Sequence, residues 1–288
     1  MRGMNKSDVQ LILKQLNIKP KKHLGQNFLI DKNVRDKIIS TAEISKNDII
    51  LEIGPGLGAL TEKLIDYAKQ VYAIEIEPHF YSYLKNKFSD IDNLKLINGD
   101  ILNVEIPPHN KVVSNIPYSI TGPILERIFF TSNPPHGILT IESKLAERIF
   151  FRGDYKKYSR LTISVNSFME PIQRYSISRN SFYPTPGIDL SLIKINPKVI
   201  INPFLLENKN IQFYLKFIAG IMPYKNKNIL NALEIFFSKT TSLNKQEIIK
   251  ILHENKFENK KVFTFKIPEF IELCKLFYNL NNKHGECD

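Results

Sequence analysis

Leu51-Glu52-Ile53-Gly54-Pro55-Gly56-Leu57-Gly58-Ala59-Leu60-Thr61 decides how the rest of this chain is read. An apolar strand breaks into three glycines spaced two apart and then re-enters helical spacing. That is how an α/β sheet opens a nucleotide crevice at a strand's carboxyl end, with glycines admitting close approach of backbone to ligand.

The flanking sequence fits the same sheet. Strand-like runs occur at Ile49 to Ile53, Val71 to Ile76, Leu94 to Asn98, Lys111 to Ser114 and Gly137 to Glu142. Helical stretches at Leu57 to Ala68, Pro78 to Phe88 and Thr121 to Ser132 separate them, the second opening on a proline that a first turn tolerates. Such alternation predicts a mostly parallel sheet covered on both faces. Lys144 to Phe150 and Ser159 to Phe168 read as helices. Pro171 to Ser178 and Asp189 to Ile195 complete seven strands, and their helix-free connection makes them antiparallel.

Upstream, Ser7-Asp8-Val9-Gln10 has the form of a capping box, and Val9, Ile12, Leu13 and Leu16 share one stripe, so a short amphipathic helix leads the chain. A basic arm, Lys19 to Leu29, follows, and then a helix from Asn33 to Ala42. Beyond Pro197 strand patterning stops, and Ile211 to Met222, Asn226 to Phe237, Lys245 to His253 and Pro268 to Asn279 have helical spacing. The expected domains are therefore residues 1–200, α/β with the basic arm, and 201–288, small and all-helical.

With 288 residues, 43% of them hydrophobic, the chain can bury a sizeable core. No apolar run approaches the roughly 20 residues of a membrane span, and the start lacks a secretory apolar segment, so a cytoplasmic protein with no membrane partner is expected. Cys274 and Cys287 stand without partner pairs, which indicates neither a disulfide framework nor a metal site. The net charge is +11. Basic residues outnumber acidic ones 10 to 5 over residues 1–50 and 8 to 3 over 151–200, whereas acidic residues lead 9 to 5 over 51–110. A basic frame around a mildly acidic pocket suits a cationic cofactor inside and a polyanion outside.

Candidate chemistry sits at successive strand ends. Gly54 and Gly56 follow the first strand of the alternating pattern. Glu75 closes the next, where a carboxylate can accept both ribose hydroxyls. Asp100 follows the third and can accept from an adenine amine, although Asn98-Gly99-Asp100 is also good turn chemistry. After the fourth comes Asn115-Ile116-Pro117-Tyr118. A hydride-transfer enzyme binding NAD through the same glycines has no need of it, whereas methyl transfer to an exocyclic base amine does. That amine is a poor nucleophile because its lone pair is delocalised into the ring. The Asn115 oxygen and the Ile116 or Pro117 carbonyl could each take one amine hydrogen and pull the nitrogen toward a tetrahedral form. Tyr118 would stack on the base, worth roughly 1–3 kcal/mol, against the few kcal/mol of extruding it.

Lys22 to Leu29, Leu51 to Gly58, Asn115 to Tyr118, Tyr158 to Leu161 and Phe182 to Pro186 together resemble the ribosomal RNA adenine dimethyltransferase family, more narrowly its bacterial small-subunit branch. The resemblance runs from about residue 15 to 270. It implies a Rossmann-like class I methyltransferase domain with a small helical domain and S-adenosylmethionine as cofactor. The implied activity is dimethylation of two neighbouring adenosines in a hairpin loop near the 3′ end of the 16S small-subunit RNA, with the assembling 30S particle as partner and a monomeric enzyme. It assigns cofactor contacts to Asn27, Leu29, Gly54, Gly56, Glu75, Asp100 and Asn115, and catalytic positions to Asn115, Pro117, Tyr118 and Phe182, the last as a second stacking ring. RNA contacts are expected from Lys21, Lys22, Arg148, Arg152, Lys156, Lys157 and Arg160. Leu145 stands where the family usually has an acidic residue. Tyr224-Lys225-Asn226-Lys227 replaces an arginine-rich run, so fewer or weaker phosphate contacts are expected there. A relative acting on large-subunit RNA and a ribosome-assembly factor acting by binding alone are the remaining alternatives.

Overall fold

Asn5 starts the first helix, α1 (Lys6–Gln15), in the computed structural model, which describes residues 3–21, 25–151, 153, 155–238 and 243–284. The Asn5 side chain accepts from the Asp8 N–H at 3.0 Å, and the Asp8 carboxylate accepts from the Asn5 N–H at 2.9 Å. This corrects the expected Ser7–Gln10 box. Asn caps as well as Ser, and the earlier start extends the helix that buries Val9 and Leu13.

A two-residue strand, β1 (Phe28–Leu29), and α2 (Lys32–Ala42) lead into the alternating pattern. Its elements are β2 (Ile49–Ile53), α3 (Thr61–Tyr67), β3 (Gln70–Glu75), α4 (Pro78–Lys87), β4 (Leu94–Asn98), β5 (Lys111–Asn115), α5 (Thr121–Phe129) and β6 (His136–Glu142). Then come α6 (Ser143–Phe150), α7 (Arg160–Phe168), β7 (Met169–Ile177), β8 (Phe182–Tyr183) and β9 (Leu190–Pro197). Four helices close the described chain: α8 (Asn208–Ile221), α9 (Ile229–Phe237), α10 (Lys245–Glu254) and α11 (Ile267–His284). α3 begins at Thr61 rather than at the expected Leu57, because Gly58, inside the expected helix, has φ of +84°, a left-handed conformation that a right-handed helix does not use.

The main sheet has seven strands in the order β4-β3-β2-β5-β6-β9-β7. β4, β3, β2, β5 and β6 run parallel, and β9 is antiparallel to both of its neighbours. Ile50, Leu51, Val71, Ala73, Val112, Val113, Ile138 and Leu139 are buried. Near-continuous apolar strands are what a parallel sheet covered on both faces requires. From β2 the chain builds outward through β3 and β4, then returns to β2's other edge with β5. This reversal opens a crevice beyond the carboxyl ends of β2 and β5.

By compactness the chain divides into one unit of Met1–Phe129, Asn133–Glu147 and Met169–Pro197, and another of Phe130–Ser132, Arg148–Phe168 and Lys198–Asp288. A single cut at residue 200 would separate 130–132 and 148–168 from the helices they join. Within the helical unit Phe168 stacks on Phe130 with centroids 5.5 Å apart, and Ser167 Oγ lies 2.7 Å from the Tyr214 hydroxyl. Arg148, Lys156, Lys157 and Arg160 thus belong to the helical unit. No helix among the described residues is long and apolar enough to cross a membrane.

Candidate active site

The glycine turn after β2 is pinned from β3. Gly54 donates its N–H to the Ile74 carbonyl at 2.9 Å, and Gly56 donates to Glu75 Oε2 at 3.0 Å. The other Glu75 oxygen accepts the Glu77 N–H at 2.9 Å. Burial pushes the Glu75 carboxyl up, and the N–H groups of Glu77 and Gly56 oppose that shift. One turn of chain deeper, Glu52 is 1% exposed and accepts from Thr61 Oγ1 at 2.7 Å. Burial raises its carboxyl to about 8, Glu75's charge adds to the rise, and the Thr61 hydrogen bond opposes it.

The basic arm closes one side of the crevice. β1 pairs with β8, Phe28 opposite Tyr183 and Leu29 opposite Phe182. Phe28 meets Phe80 edge-on at 5.4 Å, a favoured aromatic geometry. Gln26 Oε1 accepts the Lys21 N–H at 2.8 Å, and Asn27 Nδ2 donates to the Gly25 carbonyl at 3.2 Å. Lys21 Nζ lies 2.7 Å from Glu77 Oε2.

Opposite the arm, Asn115 ends β5 and Ile116 donates its N–H to the Thr140 carbonyl. The Asn115 Oδ1 atom is buried and has no hydrogen-bond partner among the described residues. Buried polar atoms are rarely left so, and one at a strand's carboxyl end awaits a donor. Tyr118 begins a one-turn 3-10 helix, Tyr118–Ile120. It is half-buried against the core cluster that includes Leu29 and Phe182, and burial raises its phenol.

These elements line one cleft that is open to solvent. Its walls bring together Asn27, Leu29, Gly54, Gly56, Glu75, Asn115 and Pro117 from the expected set, and they add Gln26, Glu52 and Phe80. Sequence reasoning gave no role to Glu52, although a carboxylate inside an otherwise apolar strand was a signal in plain view. Gln26 and Glu77, which hold Lys21, carried no such mark. Asp100 does not line the cleft. Its carboxylate accepts from Leu102 N–H at 2.9 Å and Asn103 Nδ2 at 3.0 Å, so it serves the turn that follows β4.

Phe182 is corrected outright as a stacking ring. It is 1% exposed and part of the core, so it has no face to offer a base. Pro117's carbonyl is also committed, accepting from Ile120 N–H at 3.2 Å and Thr121 Oγ1 at 3.3 Å. Lys21 is engaged with Glu77, while Lys22 and Arg152 lie outside the described residues. Arg148, Lys156, Lys157 and Arg160 are exposed. Among the described residues no cluster of potential metal ligands occurs.

A seven-stranded sheet of this order, with a glycine crevice at the β2/β5 reversal and a reverse-running β9, is the Rossmann-like fold of class I methyltransferases. The chain is similar to a dimethyladenosine transferase from Plasmodium falciparum, with a TM-score of 0.72 and 26% identity over 89% of this chain and 98% of that one. It is also similar to the 23S rRNA methyltransferase ErmE, with a TM-score of 0.60 and 26% identity over 87% of this chain and 99% of that one. The chain belongs to the ribosomal RNA adenine dimethylase family, whose model matches residues 17–270. Among its relatives, the probable ribosomal RNA small subunit methyltransferase A of Methanosarcina mazei is 34% identical, over 96% of this chain and 99% of that one. The ribosomal RNA small subunit methyltransferase A of Borrelia garinii subsp. bavariensis is 31% identical, over 96% of this chain and 95% of that one. The protein is an rRNA adenine dimethyltransferase.

Proposed function

We propose that the enzyme uses S-adenosylmethionine to dimethylate the exocyclic amines of two adjacent adenosines in a 3′-terminal hairpin loop of 16S small-subunit RNA. It acts in the cytoplasm, as a monomer, on the assembling 30S particle. The single observation that carries this reading is the buried, unpartnered Oδ1 of Asn115 beside a cleft floored by Gly54 and Gly56. The cleft suits the cofactor. A Cβ on Gly56 would lie 3.3 Å from the Phe28 ring, so the floor stays open only while that position is bare. When bound, S-adenosylmethionine supplies an electrophilic methyl group on a sulfonium centre.

Asn115 Oδ1 accepts one hydrogen of the flipped adenine's amine. The Ile116 carbonyl accepts the other, since Pro117's carbonyl already serves Ile120 and Thr121. Held by two acceptors, the nitrogen turns its lone pair out of the ring, and orientation of the reactants supplies most of the remaining rate. On transfer the methyl–sulfur bond would break to leave a neutral thioether and the methylated nitrogen would release one proton to solvent, so no strong base is required. After one transfer the monomethyl amine keeps a single hydrogen, and rotation about its bond to the ring offers that hydrogen to Asn115 for the second. Tyr118 supplies the stacking face. Asn27, Leu29 and Glu75 hold the cofactor, and Asp100, whose carboxylate also serves its own turn, meets the adenine amine. Arg148, Arg152, Lys156, Lys157 and Arg160, with Lys21 and Lys22 of the arm, take RNA phosphates. The small-subunit assignment is supported by the names of the curated relatives.

The test is to incubate undermethylated small subunits with labelled cofactor and map the product by mass spectrometry. Asn115→Ala is expected to lower methylation about 100-fold or more, on the scale of losing one well-placed electrostatic contact, with cofactor affinity far less affected. Near wild-type turnover by this variant would remove the mechanism. Modification mapped only to large-subunit RNA would remove the substrate assignment.

A further inference from the structure

Lys225 follows a one-turn 3-10 helix, Met222–Tyr224, in the run that replaces the family's arginines. Its ammonium is not turned outward. It donates to the carbonyls of Lys156 at 2.7 Å and Tyr158 at 3.1 Å. Its own carbonyl accepts the Phe263 N–H at 3.0 Å, and two residues on, Lys227's carbonyl accepts the Val262 N–H at 3.0 Å. Lys225 thereby joins three turns of the helical unit, at 155–158, 222–228 and 261–264.

The turn it holds is the one that presents Lys156 and Lys157. That turn is a single 3-10 turn, Tyr155–Lys157, too short to satisfy its own last carbonyls. Lys225 donates to a carbonyl within it, that of Lys156, and to the Tyr158 carbonyl just after it. On the same surface the Phe263 ring lies under two ammonium groups, Lys156 at 5.9 Å and Lys261 at 6.0 Å.

We propose that Lys225 is a positioning residue for RNA: instead of meeting a phosphate, it fixes the turn that carries Lys156 and Lys157, and so sets where those two cations stand. The inference rests on the reading above that these lysines bind RNA. A charge census would count Lys225 among the phosphate contacts, whereas the geometry assigns it to the backbone.

The test compares Lys225→Met, Lys156→Gln with Lys157→Gln, and all three together, in steady-state methylation of undermethylated small subunits. Lys225→Met is expected to raise KM about three- to tenfold, the size of an ordinary coupling between contacting residues, with kcat little changed. In the background lacking Lys156 and Lys157 it should add almost nothing. Lys225→Arg, which still donates to two carbonyls, should restore KM even if the Met variant folds poorly. Hydrogen exchange over residues 153–160 should quicken in Lys225→Met and return in Lys225→Arg. If Lys225→Met adds its full factor in the double-Gln background, Lys225 is itself a phosphate contact and the inference is overturned. It is also overturned if Lys225→Met leaves KM unchanged while the double Gln variant raises it, in which case the patch reading stands. If the double Gln variant does not raise KM, the patch reading is what fails, and the inference falls with it.

Discussion

Glu75 at the end of β3 accepts the backbone N–H of Gly56 at 3.0 Å, across 19 residues of chain. The carboxylate expected to face a ribose thus also pins the glycine turn, while its second oxygen holds the Glu77 N–H. Each oxygen has a further lone pair, so the same group can fix the loop and still meet a ligand.

Replacing Glu75 with Ala therefore removes its bond to the glycine loop at Gly56 and its bond to the Glu77 N–H, along with any ligand contact. Bonds to charged groups are worth about 1.5–3 kcal/mol each, so titration calorimetry is expected to show cofactor affinity down at least tenfold. An unchanged dissociation constant would mean that the loop keeps its shape without the carboxylate.

The arm and the Asn115–Tyr118 turn touch through Gly25. Its φ is +64°, and a Cβ there would lie 3.3 Å from the Tyr118 nitrogen and 3.4 Å from Pro117 Cα. Gly25→Val adds left-handed strain of about 1–2 kcal/mol and pushes the arm off the turn. kcat/KM should fall about tenfold or more while the thermal melt stays near wild type, because Gly25 is outside the sheet's core. Full activity in the Val variant would show that the arm has no part in the reaction.

Glu52 makes stability pH-dependent in an unusual sense. Its carboxyl sits at about 8 in the folded chain, against an ordinary 4.5. Between those values the folded state holds a proton that the unfolded state has lost. The contribution is complete below pH 4.5 and disappears as pH rises through 8. Glu52→Gln keeps an acceptor for Thr61 without the ionisation. Its melting temperature should gain on wild type steadily from pH 5 to about pH 8 and level off above it. Parallel profiles for the two proteins would show that Glu52 does not titrate in this range.

Much of the cleft's lining was readable because strand ends are local features. Glycines after an apolar run, Glu75 at the next strand end and Asn115 before an Ile-Pro-Tyr turn each declare themselves within a few residues, and the sheet brings their ends together. Phe182 was not readable, since an aromatic residue before Tyr-Pro-Thr-Pro has the same local look whether its ring is free or in the core. Its place follows from pairing with Leu29, far away in the chain. Asp100 was ambiguous for the opposite reason, because its partners, Leu102 and Asn103, are so near that an ordinary turn explains the residue as well as a ligand does. Expected helix starts moved by a few residues at α1 and α3, where an Asn cap and left-handed glycines overrode periodicity.

The order of residues along the chain was enough to determine the parallel sheet, its glycine crevice and the acceptor at the tip of β5, because periods of 2.0 and 3.6 and the backbone freedom of glycine act over a few residues. Only the tertiary structure decided that Phe182 is core, that Pro117's carbonyl is already taken, and that residues 148–168 pack with the C-terminal helices. It alone showed that Lys225 points its charge at the backbone. Burial and hydrogen-bond partnership depend on which distant atoms arrive alongside, and a charge or a ring has no fixed role until those neighbours are in place.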